Sequence, residues 1–119
     1  DTALLFTVLE TAKALGFAHR TGIVRSHESF YLDDIDDINA YWSKKGVLGS
    51  DMETAALLTV GRLRGMRCAS ILNSIVLWQQ DVLSGVGSYA AGENAAAEGE
   101  ERSILTALEA FARIEAEKR

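Results

Sequence analysis

The chain has 119 residues and a mass of 12.9 kDa, 48% hydrophobic and 24% charged, which is ordinary globular composition and fills at most one domain with a modest core. A formal net charge of −5 leaves no basic stripe to displace counterions from a phosphate backbone, so no nucleic-acid partner is expected. The sequence has no run of about 18 apolar residues to span a membrane, and its single Cys68 excludes an internal disulfide. With no secretory signal either, the expected setting is the reducing cytoplasm.

In chain order, Asp1 or Thr2 caps a predicted helix running to about Leu15, with Leu5, Leu9 and Ala12 on one face and Gly16 as its stop. A strand is predicted over Phe17 to Arg25, with Ile23 and Val24 its most buried pair. Ser26-His27-Glu28-Ser29-Phe30-Tyr31 follows, at the strand end where α/β sheets place ligands. Asp33, Asp34, Asp36 and Asp37 lack the glycine and ligand spacing of a calcium loop. They read as the solvated first turn of a helix ending near Lys44 and Lys45, with Trp42 packed on it. Gly46 to Ser50 is a short strand or extended link. Asp51-Met52-Glu53 then leads into the helix formers Ala55, Ala56, Leu57 and Leu58, and Gly65 ends that helix. Met66 to Val76 is expected as a buried strand, and the glycine- and alanine-rich stretch from Asp81 to Arg102 as a surface loop or lid. A last amphipathic helix, Ser103 to about Glu117, would bury Ile104, Leu108, Phe111 and Ile114. Helix and strand in repeated succession indicate an α/β layered fold.

Two carboxylates at the head of the 54–64 helix invite two readings. Either Asp51 or Glu53 caps the helix, held by backbone N–H groups and the macrodipole. Alternatively, a carboxylate there points into a cleft and accepts two hydrogen bonds from the vicinal hydroxyls of a sugar. His27 and His19 have no nameable partner and read as surface or hydrogen-bonded histidines, not proton shuttles. No metal site is expected.

Met-Glu-Thr-Ala-Ala-Leu-Leu-Thr from Met52, Ser-His-Glu-Ser-Phe-Tyr from Ser26, and Gly-Met-Arg-Cys-Ala-Ser-Ile-Leu-Asn-Ser-Ile-Val from Gly65 together resemble the nucleoside phosphorylases. The likeness is to the hexameric type, which includes uridine phosphorylase and bacterial purine nucleoside phosphorylase. It implies a three-layer α/β fold, a central mixed β-sheet flanked by helices, with residues 1–119 forming the C-terminal half of a single domain. Family members are about twice as long, and their glycine- and arginine-bearing phosphate site lies in an N-terminal half not seen in this sequence. The chain is therefore expected to be part of a longer polypeptide, with no phosphate-binding residues in this segment.

The resemblance implies that Met52 and Glu53 bind ribose, and that Phe30, Ile75 and Val76 form the base slot. Purine-type relatives place a catalytic aspartate at the twenty-third residue after the ribose-binding glutamate. That position is Val76 here, which leaves no catalytic acid to name and moves the expected substrate toward uridine or a related pyrimidine nucleoside. The Gln-x-Arg of uridine phosphorylases is absent after Phe30-Tyr31, and Trp78 stands where they carry an arginine. Base recognition is then either rebuilt, with Gln79 or Gln80 and Trp78, or directed at something else. The implied reaction is phosphorolysis to free base and ribose 1-phosphate by a homo-oligomer built from dimers, a hexamer. Nucleoside and phosphate are its substrates, and no cofactor is required. The alternatives are a purine nucleoside phosphorylase, a nucleosidase, or a non-catalytic nucleoside-binding relative.

Overall fold

Asp1 opens the first helix, α1 (Thr2–Ala14), by accepting the Leu4 N–H at 2.8 Å, and Gly16 leaves it with a left-handed φ of 73°. The computed structural model describes residues 1–29, 31–77, 79–92 and 94–117. These fall into two compact units, Asp1–His19 with Ile71–Arg119, and Arg20–Ser70.

The 20–70 unit is mixed α/β. Strand β1 (Val24–Ser26), helix α2 (Ile35–Lys44) and strand β2 (Gly49–Asp51) form a β-α-β unit, whose helix provides the crossover that a parallel strand pair needs. The register sets Val24 against Gly49, Arg25 against Ser50 and Ser26 against Asp51. Helix α3 (Thr54–Leu63) starts just past β2, and Gly65, with φ 69°, lies just beyond its end. The acidic cluster does form the first turn of a helix, with Asp36 and Asp37 at the start of α2 and Lys44 at its close. Trp42 is 39% exposed and meets Tyr41 edge-on, the ring centroids 5.2 Å apart.

Two strand expectations are corrected. The strand predicted over Phe17 to Arg25 is confined to Val24–Ser26, because β2 offers it only three partners, and Ile23 is 68% exposed. Met66 to Val76 forms no strand. Among the described residues the β1–β2 ladder is the whole sheet, and residues 66–76 pair with no strand in it.

The other unit is helical. Asp81 to Arg102 is not a loop: α4 (Val82–Ala90) and α5 (Asn94–Ala116) occupy it, divided by Gly92 at φ 71°. Asp81 caps α4, accepting the Ser84 N–H at 2.8 Å and its hydroxyl at 2.6 Å. Helix α5 thus begins at Asn94 instead of Ser103, carried by helix-forming alanines.

Helix α5 packs against α1, and apart from Leu4 the residues buried on the two helices are small. Thr106 and Ala110 are buried on α5, Leu4, Thr11 and Ala12 on α1. Thr11 and Thr106 donate their hydroxyls to the carbonyls of Thr7 and Arg102, each at 2.7 Å, so neither brings an unmet polar group inside. The predicted apolar stripe turns outward instead: Ile104, Leu108 and Phe111 are exposed, and of the four only Ile114 is half-buried.

Candidate functional site

The junction of β1, β2 and α3 gathers the polar residues that the sequence singles out. Register places Ser26 beside Asp51, and the Ser26 hydroxyl donates to Asp51 Oδ1 at 2.6 Å. Asp51 Oδ2 accepts the Thr54 N–H at 2.8 Å, and the Ser26 oxygen accepts the Ala55 N–H at 2.9 Å. The His27 N–H donates to the Asp51 carbonyl at 2.9 Å, and the Thr54 and Ser70 hydroxyls pair at 3.0 Å. Two of the N–H groups that any helix start leaves open are thereby satisfied from outside α3.

Burial would raise the Asp51 carboxyl. Hydrogen bonds from Ser26, from the side chain and N–H of Thr54 and from the Glu53 N–H outweigh it and hold the group below the usual carboxylate value. Asp51 therefore stays ionised and capping.

Glu53 occupies the N-cap position of α3 yet makes no capping bond with its side chain. It is exposed, and its Oε2 accepts the Met52 N–H at 3.1 Å. Met52 is exposed beside it. The two predicted ribose residues thus lie together on the loop between β2 and α3, open to a ligand. His27 Nδ1 lies 2.8 Å from the Ser29 carbonyl, which can only accept, so that nitrogen carries the proton and a fixed structural bond. Arg25 Nη2 is enclosed and has no hydrogen-bond partner among the described residues.

Phe30 and Trp78 lie outside the described residues. Ile75 and Val76 belong to the helical unit, both half-buried. The Val76 methyls press on α4 at Gly85, where a Cβ would collide with them, so this valine has a packing partner of its own. Gln80 closes a turn, its Oε1 accepting the Leu77 N–H at 3.1 Å and its own N–H reaching the Leu77 carbonyl at 3.0 Å. Gln79 adopts a left-handed φ of 75°, sparsely populated for a residue with a Cβ. Among the described residues no group of three or more His, Cys, Asp or Glu side chains is placed to hold a metal ion, and no helix is long and apolar enough to cross a membrane.

The residue whose role sequence reasoning missed is Ser26. Its signal was faint, a serine at a strand end, and it acquires meaning only once the parallel register sets it beside Asp51.

At this site a β-α-β unit's second strand runs into a helix headed by an acid-Met-Glu motif. The sequence profile of the phosphorylase superfamily matches residues 1–114, and the chain belongs to that superfamily. It is 39% identical over 69 residues to a DeoD-type purine nucleoside phosphorylase of Clostridium novyi, a stretch covering 58% of this chain and 29% of the relative. DeoD-type purine nucleoside phosphorylases of Shewanella amazonensis and Geobacillus kaustophilus are each 38% identical over 72 residues, 60% of this chain and 30% of theirs. The matched stretch spans less than a third of these relatives' length. No solved structure gives a significant match.

Proposed function

We propose that this chain serves phosphorolysis of a nucleoside: the glycosidic C–N bond breaks, a phosphate oxygen bonds to the anomeric carbon, and the base leaves with the electron pair. Membership of the phosphorylase superfamily over residues 1–114 is the observation that carries this reading. Glu53 accepts the ribose hydroxyls, and Met52 lies along the sugar. Their exposure, and the transfer of the capping duty to Asp51, support those roles. The protein then works by fixing the sugar while positive charge grows at its anomeric carbon. Phe30, Ile75 and Val76 form the base slot, and the phosphate ligands lie outside this segment. We read the β1–β2 pair as part of a three-layer fold with a mixed sheet, in a cytoplasmic homo-oligomer built from dimers. Phosphate is a substrate, and the reaction as written calls for no cofactor.

Valine at position 76 has no proton to give a departing purine, which supports a pyrimidine nucleoside, uridine above all. A second reading, purine nucleosides, is favoured by the chain's similarity to DeoD-type purine nucleoside phosphorylases. Incubating the purified protein with uridine, inosine and methylthioadenosine, with and without orthophosphate, decides between them. Phosphate-dependent release of uracil is the expected result. Release of hypoxanthine alone would establish the purine reading, and base release without phosphate a nucleosidase. Thermal stabilisation by nucleoside with no base released would mean a non-catalytic relative. Glu53→Gln should lower kcat/KM about a hundredfold, roughly 2.7 kcal/mol of transition-state stabilisation, with the circular dichroism spectrum unchanged. Near-normal turnover would reduce Glu53 to an ordinary loop residue.

A further inference from the structure

We propose that Ser26 and Asp51 form a positioning pair for Glu53, anchoring the start of α3 from strand β1 so that the Glu53 carboxylate is left to the ligand. The inference rests on the reading of Glu53 as the sugar-binding residue. A helix start needs acceptors for its first N–H groups, and the side chain at the N-cap position ordinarily supplies one. Here that position belongs to Glu53, whose carboxylate is turned back to the Met52 N–H.

The need is met by an arrangement that closes on itself. Asp51 Oδ2 takes the Thr54 N–H, Asp51 Oδ1 takes the Ser26 hydroxyl, and the Ser26 oxygen takes the Ala55 N–H. Both Asp51 oxygens are engaged within the protein, which leaves Glu53 as the more open acceptor for a sugar hydroxyl. The acid of the pair that stands first in sequence is therefore a positioning residue.

The backbone on either side of Met52-Glu53 is pinned as well. The His27 N–H holds the Asp51 carbonyl at 2.9 Å, and the Thr54 hydroxyl meets that of Ser70 at 3.0 Å. Ser26 lies 25 residues from Asp51, so the pair also joins the two strands at the ends of their ladder. A carboxylate held to within a few tenths of an ångström is what bidentate recognition of vicinal hydroxyls requires.

The test is a double-mutant cycle read as dissociation constants for uridine and for inosine, by calorimetry on the purified protein. Ser26→Ala should weaken binding about tenfold, and Ser26→Thr, which keeps the hydroxyl, should recover most of it. In the Glu53→Gln background Ser26→Ala should change affinity less than twofold, because the group it positions is already gone. An equal loss in both backgrounds, or unchanged affinity for Ser26→Ala alone, would overturn the positioning role and leave the sugar-binding reading standing. If Glu53→Gln itself binds both nucleosides as the parent does, the sugar-binding reading falls and takes the inference with it. Should Ser26→Ala fail to fold, Asp51→Asn serves in its place: it keeps an acceptor for the Thr54 N–H but turns the other oxygen into a donor. Its loss must likewise vanish in the Glu53→Gln background for the inference to hold.

Discussion

Asp51 and Glu53 are two residues apart and chemically alike, yet their surroundings separate them. Asp51 is half-buried and receives a hydroxyl and a backbone N–H; Glu53 is exposed and, among the described residues, its carboxylate receives the N–H of its neighbour Met52. The depressed Asp51 pKa carries a pH dependence with a definite sign. A carboxyl whose folded value lies below its unfolded one adds stability that is fully present above the unfolded pKa of about 3.9 and is lost as pH falls through the folded value. Asp51→Asn should therefore lower stability at pH 7 by about 0.3–1 kcal/mol, the worth of a charge at a helix N-terminus, and the gap to the parent should narrow as pH falls below about 3.9. Urea unfolding of both proteins at pH 7 and pH 3 measures this; a gap unchanged at pH 3 would mean that the cap does not depend on charge. Asp81 is held low in the same direction by the hydroxyl and N–H of Ser84. From sequence, either acid of the 51–53 motif could have been the cap. The choice depends on Ser26, far away along the chain, and local propensity carries no information about so distant a partner.

Among the elements, α5 departs most from its sequence pattern. A helical period offers two candidate faces there, the bulky one of Ile104, Leu108 and Phe111 and the small one of Thr106 and Ala110. Hydrophobicity alone favours the bulky face, but α1 lies against the small one, where short side chains let two helices approach closely. Ala110→Leu should consequently destabilise by about 1–3 kcal/mol through overpacking, whereas Leu108→Ser should stay within about 0.5 kcal/mol. Urea titration of the two variants would reverse the sequence expectation if they fell in the opposite order. The helix starts were legible where a cap is local: of the two candidates Asp1 and Thr2 the structure takes Asp1, and Asp81 with Ser84 three residues on carried the same signal inside a stretch whose glycines suggested a loop. Strand lengths were not legible, because a strand extends only as far as its neighbour does. The expected ladders over residues 17–25 and 66–76 reduce to the three pairs of β1 with β2.

At the scale of the whole chain, the Met-Glu-Thr run, the Ser-His-Glu-Ser-Phe-Tyr stretch before it and the 65–76 stretch after it, in fixed order, carried the family resemblance that the superfamily match over residues 1–114 bears out. They left the base open, because the acid of purine-type relatives is missing at Val76 and the Gln-x-Arg of uridine phosphorylases is missing after Tyr31. The described residues enclose few large apolar side chains. Leu4, Ala12 and Ala110 make up the buried hydrophobic set, while Leu57, Leu63, Leu83, Leu108 and Phe111 are exposed. A chain with so much uncovered hydrocarbon should enhance the fluorescence of an anilinonaphthalene sulfonate dye under native conditions. Replacing Leu108 and Phe111 by serine should lower that signal with helicity retained, and an unchanged signal would place the dye elsewhere.

The contact between Gly61 and Cys68 has a practical consequence. Gly61 is buried on α3, and a methyl group there would collide with the Cys68 sulfur, so the thiol rests directly on the helix backbone. Cys68 is half-buried, and an alkylating adduct on its sulfur gains room when the helix lifts away. The rate at which such a reagent labels this chain's single cysteine therefore becomes a clock for the opening of α3. Nucleoside held at the head of that helix should slow the clock in proportion to the fraction of sites it occupies.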